Sequence, residues 1–327
     1  MKIAILGIGH WHSPIYAGVS QQTPHQLVGV HDDEPAMAEI KAGKLSTRGF
    51  TNPEQLLDET HPEFAVCLGN YRRMPELAGM LIDRDIPFLI EKPSAASAAP
   101  VRALAKRCQA KNLFHAPALI PYWYPAFREL RAILESGKLG RPARVESQYF
   151  AGPVARYIKM GSPWMLDPEL TPGGALLNLG VLCLSLLRML GLQPVYRTGI
   201  ASHAVNRGTI EDFSSLLLDC RDGTYAVVEN GYCPVEPQDG FYLHILAEQG
   251  RAEFRKGVLK IEYASGQVEM KTWPDCDFRK EMMIELLDLA HDGKPSPLTL
   301  FEMAEVLDIF DAFYLEQKLQ CRINMEE

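Results

Sequence analysis

The first third of the chain alternates short, nearly unbroken apolar runs with stretches of helical texture. The apolar runs cover residues 2–6, 27–30, 64–68 and 87–90. They stop at Gly7-Ile8-Gly9, His31-Asp32, Gly69-Asn70 and Glu91-Lys92-Pro93 respectively. A run apolar at every position suits a strand covered on both faces, and helices between such strands predict a parallel, doubly wound sheet. A helix over 99–109 and a last strand over 112–116 close this unit. Residues 125–137 then read as an amphipathic helix, with Phe127, Leu130, Ile133 and Leu134 on one side and Gly137 as its stop. Beyond it the texture changes. Strand-like runs at 145–150, 213–220, 224–230, 242–247 and 258–263 follow without regular intervening helices, which predicts an antiparallel sheet. Residues 300–319 form a long helix with a wide apolar face.

The fold class expected is therefore an α/β Rossmann-type parallel-sheet domain followed by an α+β domain with a mostly antiparallel open sheet. The boundaries expected are 1–118 for the nucleotide-binding domain and 119–299 for a substrate and oligomerisation domain. A C-terminal helix within 300–327 is expected to pack back on the first domain. With 327 residues and a formal charge of −8, the chain has no basic stripe for a phosphate backbone, so a nucleic-acid partner is not expected. The longest apolar segment, 175–192, is interrupted by Asn178, Gly180, Ser185 and Arg188, so no membrane span is expected. Seven scattered cysteines without a CxxC pair or an export signal suit a cytoplasmic protein.

Gly7-Ile8-Gly9, after a strand and before a helix, is the context of a dinucleotide-binding loop. Such glycines let backbone approach a pyrophosphate, and the helix N-terminus supplies free N–H groups. His10, Trp11 and His12 complete the loop, His12 standing where a third small residue is usual. Asp32, at the end of the second strand, is placed to hold ribose hydroxyls. Asp33 and Glu34 add charge that disfavours a 2′-phosphate, so the cofactor expected is NAD. The bland alternative is an ordinary turn beside a solvated acidic cluster.

Glu91-Lys92-Pro93 after a strand resembles the signature of the glucose–fructose oxidoreductase/inositol dehydrogenase (Gfo/Idh/MocA) family. The likeness extends through Pro125-Ala126-Phe127, Ser136-Gly137-Lys138-Leu139-Gly140, Trp164 and the run from Gly173 to Gly180, to Glu211-Asp212 and Gly293-Lys294-Pro295. The resemblance implies hydride transfer between a nicotinamide cofactor and a sugar, polyol or related carbonyl compound. It also implies Lys92 beside the reacting carbon, and a homodimer or homotetramer formed through the second sheet. The cofactor contacts expected are Gly7, Ile8, Gly9, His10, Trp11, His12, Asp32, Gly69, Asn70, Glu91 and Lys92. Lys92, Tyr122, Tyr157, Trp164 and Asn178 are expected to meet substrate.

The chain departs from that family where protons are moved. Asn178 and Leu182 hold the usual Asp and His positions, and Ser185, Met74 and Met165 replace other polar groups. Leucine carries no proton, and asparagine cannot act as a general base. Lys92 thus remains the leading catalytic residue, Asn178 becomes a group that orients substrate, and His12 or His10 the substitute proton carrier. Two alternatives stand beside this: a catalytically silent NAD(H)-binding or sensing protein, and an enzyme recycling bound NAD in a net non-redox reaction. His10-Trp11-His12 also matches the HxH of metal-dependent hydrolases. No third ligand is evident in the sequence and the strand-rich second half contradicts that fold, so no metal is expected.

Overall fold

The computed structural model describes residues 1–221, 223–233, 235, 240–274 and 278–326. The chain divides by internal contact into two compact units, each discontinuous in sequence. The first comprises Met1–Ala118, Ala155–Pro172 and Phe278–Glu305, the second Leu119–Val154, Gly173–Asp277 and Val306–Glu327.

The first unit is built on β1 (Lys2–Leu6), α1 (Ser13–Gln22), β2 (Gln26–His31), α2 (Pro35–Leu45), β3 (Gly49–Phe50), α3 (Pro53–Thr60), β4 (Phe64–Cys67), α4 (Met74–Asp83), β5 (Phe88–Ile90), α5 (Ala98–Lys111) and β6 (His115–Pro117). Its six strands run in the order β3-β2-β1-β4-β5-β6, all paired in parallel. This is the doubly wound arrangement, with the change of winding direction between β1 and β4. Every residue of β4 and β5 is buried, which is why their sequences are continuously apolar rather than alternating. The strand expected over 112–116 begins only at His115. Asn112 instead takes a left-handed conformation (φ 50°) that ends α5.

Ligand loops in such sheets lie beyond the carboxyl ends of the strands, beside the switch point. Gly7 follows β1 there with φ +73°, and a Cβ on it would lie 2.4 Å from the Leu68 carbonyl oxygen. Only glycine lets the turn sit against the end of β4.

The second unit contains α6 (Pro125–Glu135), β7 (Pro142–Ala151), a π-helical turn at Leu176–Gly180 continuing into α8 (Val181–Met189), then β8 (Pro194–Ser202), β9 (Phe213–Cys220), β10 (Tyr225–Tyr232), β11 (Phe241–Ala247), β12 (Gly250–Arg255), β13 (Val258–Tyr263) and β14 (Val268–Thr272). A short helix α7 (Ala155–Lys159), a helix α9 (Arg279–His291) and the start of α10 (Leu300–Glu326) belong to the first unit. The eight strands run β14-β13-β12-β11-β7-β10-β9-β8. All pairs are antiparallel except β7 with β10. Burial alternates along β9 and β12, as in a sheet with one covered face. Strands β8, β12 and β14 escape the sequence pattern because their exposed positions outnumber their buried ones.

One buried carboxylate organises the entry to α8. Glu211 accepts hydrogen bonds from the backbone N–H of Gly174 (2.8 Å) and Leu176 (3.0 Å) and from the Tyr314 hydroxyl (2.9 Å). Gly174 must be glycine, since a Cβ there would lie 2.0 Å from the Glu211 carbonyl oxygen. Glu211→Ala removes the acceptor these donors share and is expected to cost about 2–4 kcal/mol in urea unfolding. A cost within about 0.5 kcal/mol of zero would show that the carboxylate does not hold the turn.

Candidate active site

Beyond the carboxyl ends of β1 and β5, two side chains and a backbone amide of the first unit converge on one carboxylate. Glu91 is fully buried. Its Oε2 accepts the Tyr16 hydroxyl at 2.6 Å and lies 3.0 Å from His12 Nδ1, while Oε1 accepts the Lys92 backbone N–H at 3.0 Å. The His12 contact has hydrogen-bond length, although the N–H direction is oblique. His10 is 2% exposed, and its Nδ1 accepts the backbone N–H of His12 at 3.1 Å. Its ring stacks on Trp11 with centroids 3.8 Å apart.

Trp11 meets Tyr157 edge-on at 5.1 Å and lies 5.4 Å from Trp164. The segment carrying these two rings is tied to the loop by Ser162, whose hydroxyl donates to the Gly9 carbonyl at 3.1 Å. Lys92 is 2% exposed, with Nζ 5.8 Å from the Trp11 ring centroid.

Burial dominates the electrostatics. It pulls Lys92 down to about 7; Glu91 opposes that shift, and Arg279 and Arg156 reinforce it. Burial also lowers His12 to about 4, helped by Arg279 and opposed by Glu91, and holds His10 well below its usual value. Burial alone would raise Glu91. The hydrogen bond from His12 and the positive charge of Arg279 work against it, and the carboxyl is held well below the usual range. The resulting arrangement is an ionised glutamate, two neutral imidazoles and an amine poised to be either charged or neutral near pH 7.

Gly7 and Gly9 keep the loop bare where a dinucleotide backbone would approach: a Cβ on Gly9 would lie 2.9 Å from Asp32 Oδ2 and 3.1 Å from Met37. Asp32 is fixed at the end of β2 by the N–H groups of Gly9 (2.7 Å) and Glu34 (3.1 Å). The loop therefore fits a dinucleotide with an acidic group at its ribose end. Asp33 is bound by Arg73 through both Nε and Nη2 at 3.0 Å. Asn70 accepts the N–H groups of Arg72 and Arg73, shaping the loop after β4. His10, His12 and Glu91 also form the one trio among the described residues whose possible metal-ligand atoms all lie within 4.8 Å of one another. Glu91 is the third group that sequence spacing did not reveal.

Other expected residues lie in the second unit. Asn178, 1% exposed in the π-helical turn, donates from Nδ2 to the Tyr232 hydroxyl at 3.0 Å. Leu182 is buried in α8. Tyr122 lies in a 3-10 turn, Ile120–Trp123. Sequence reasoning missed Tyr16 and Arg279. Tyr16 carried a signal, since a residue four beyond His12 in α1 shares its face. Arg279, 8% exposed at the start of α9, carried none.

Residues 1–117 match the family described as an oxidoreductase family with an NAD-binding Rossmann fold, and residues 127–253 match the GFO/IDH/MocA C-terminal domain. The chain belongs to the Gfo/Idh/MocA oxidoreductase family, and its N-terminal domain is an NAD-binding Rossmann fold. It is 25% identical over 205 residues to the trans-1,2-dihydrobenzene-1,2-diol dehydrogenase of Mus musculus. That match covers 62% of this chain and 59% of the mouse protein, so the chain spans about three fifths of that relative's length. Among solved structures, an oxidoreductase from Agrobacterium radiobacter in complex with NAD+, L-tartaric acid and magnesium superposes with a TM-score of 0.81 at 17% identity, covering 96% of this chain and 95% of the other. A levoglucosan dehydrogenase in complex with NADH and levoglucosan gives 0.80 at 17% identity, covering 96% of each chain. Both likenesses are of fold.

Because His12 stays neutral in the fold to about pH 4 and an unfolded histidine protonates near 6.5, the unfolded chain binds more protons between those values. Stability therefore falls as pH drops through that window. His10 adds to the same slope. Thermal melts from about pH 7.5 to 4.5 should show a declining Tm, and His12→Asn should flatten the decline. Equal slopes in both proteins would contradict a buried neutral His12.

Proposed function

We propose that the chain is an NAD-dependent dehydrogenase or reductase acting on a CH–OH or carbonyl group of a sugar, polyol or sugar acid. The observation that carries the reading is Lys92: a buried amine beyond the end of β5, brought to about 7, in a domain of NAD-binding type. Gly7, Ile8, Gly9 and the backbone through Trp11 would hold the cofactor's phosphates, and Asp32 its ribose hydroxyls. The acidic end of β2 disfavours a 2′-phosphate, and Arg73, a nearby cation, is engaged by Asp33 and Glu76. When bound, the nicotinamide supplies the hydride acceptor or donor.

The protein's own groups would manage the proton. Lys92 hydrogen-bonds to the reacting oxygen and exchanges a proton with it, for which a pKa near the working pH is suited. His12, neutral at rest, would take up that proton only transiently, with ionised Glu91 stabilising the charged ring, in place of the missing histidine. In the second unit, Asn178 supplies a neutral hydrogen-bonding group where the family's pattern has aspartate.

The relatives' substrates, a dihydrodiol and levoglucosan, each carry hydroxyl groups, which suits this substrate class. A homo-oligomer formed through the second sheet is consistent with Val195, Ile200, Tyr225, Val268 and Met270, exposed on its strands. Among the described residues no helix is long and apolar enough to cross a membrane, and a cytoplasmic setting is part of the proposal. The buried Asn178 and Leu182 favour the competing reading of an NAD(H) sensor.

The test is NADH formation, followed by absorbance, from NAD and a panel of sugars, polyols and sugar acids. Lys92→Ala should lower the rate at least 100-fold with NADH affinity within a few-fold of the parent. Asp32→Ala should instead weaken NADH binding about tenfold or more. NADH binding without turnover on any compound would move the balance to the sensor. An unchanged rate in Lys92→Ala would remove the lysine from the mechanism.

A further inference from the structure

The two histidines were interchangeable as proton carriers in the sequence; their hydrogen bonds make them different. A backbone N–H can only donate, so the contact from His12 N to His10 Nδ1 at 3.1 Å requires a lone pair on that nitrogen. A neutral imidazole carries one N–H, which in His10 must then sit on Nε2. That atom is buried and has no hydrogen-bond partner among the described residues. Stacking on Trp11 restrains the ring from turning the group away.

His12 is the reverse case. Its Nδ1 makes no well-aligned hydrogen bond but lies 3.0 Å from a carboxylate oxygen, which can only accept, and that oxygen favours the hydrogen on Nδ1 and the lone pair on Nε2. Glu91 is kept from swinging aside by Tyr16 on the same oxygen and the Lys92 N–H on the other.

We infer that His10 is a fixed hydrogen-bond donor to an oxygen of the bound dinucleotide, and that His12 alone is the proton acceptor. The assignment of His10 to the dinucleotide rests on the proposed function and on its place directly after Gly9 in the loop where phosphates settle. A buried donor left unpaired is unfavourable, and a ligand oxygen relieves that. At His12, an incoming proton forms an N–H bond at Nε2 as the donor's own bond to hydrogen breaks. The imidazolium so formed is held by ionised Glu91. His10 is barred from this role because its only basic nitrogen already accepts from backbone. The same hydrogen bond opposes a metal ion on His10 Nε2, which would force a hydrogen onto Nδ1 against the His12 N–H.

The test is 15N spectroscopy of the intact protein labelled at its histidines, with His10→Asn and His12→Asn supplying the assignments. At neutral pH the ligand-free protein should show His10 protonated on Nε2 and His12 on Nδ1. Glu91→Gln should convert His12 to mixed tautomers while His10 stays unchanged, and Tyr16→Phe, a gentler change, should preserve both. Added NADH should shift the His10 Nε2–H signal. His12 protonated on Nε2, His10 protonated on Nδ1, or stoichiometric zinc in the purified protein lost in both histidine variants would overturn the inference. So would an unmoved His10 signal in protein saturated with NADH. Saturation is read separately from NADH fluorescence, and its absence would sink the proposed function while the ligand-free tautomers still stand or fall alone.

Discussion

A carboxylate buried without water must be paired from every side, and Glu91 is. Tyr16, His12 and the Lys92 amide each occupy it, and each comes from a different part of the first unit's framework: the body of α1, the loop after β1 and the turn after β5. Remove that charge and the His12 ring loses its charged partner, and the attraction opposing Lys92's burial is lost. The unusual loop sequence thus becomes intelligible. His12 can stand where a small residue is usual because a charge already present in the Glu-Lys-Pro turn gives its ring a partner.

The doubly wound sheet explains why these groups meet. Parallel strands deliver all their carboxyl ends to one edge, so loops distant in sequence converge there. Gly7, Gly69 and Glu91 follow β1, β4 and β5, adjacent strands in the sheet order. The aromatic cluster of Trp11, Tyr157 and Trp164 then surrounds the histidines with apolar surface. The resulting low polarity is what lowers Lys92 and keeps both imidazoles neutral. Under the proposed mechanism, chemistry that the family's pattern assigns to a helix of the second unit, where this chain has Asn178 and Leu182, falls to the loop of the first.

Much of this was legible in the sequence because it rests on local pattern. Continuous apolar runs revealed β1, β4 and β5, since strands buried on both faces leave no alternation to obscure them. The glycine loop, Asp32 and the Glu-Lys-Pro turn were readable as motifs. Strands β8 and β14 were not, because their exposed residues dilute the apolar signal and their pairing is decided by neighbours far along the chain. The site divides the same way. Lys92 and the histidines were visible as residue types, but the partner of His12 lies 79 positions away and is set by strand order rather than spacing. Arg279, which bears on every charge in the cluster, enters from a helix with no motif to announce it.

The central claim is that Lys92 sits near half-protonation at neutral pH and feels the cofactor. It is tested most directly by calorimetry of NAD+ binding at about pH 7 in buffers of differing ionisation enthalpy, with Lys92→Met alongside. A cationic nicotinamide arriving beside a half-protonated amine should expel up to about half a proton from the parent protein and none from the variant. Proton release that is absent in the parent, or equal in the two proteins, would contradict the account.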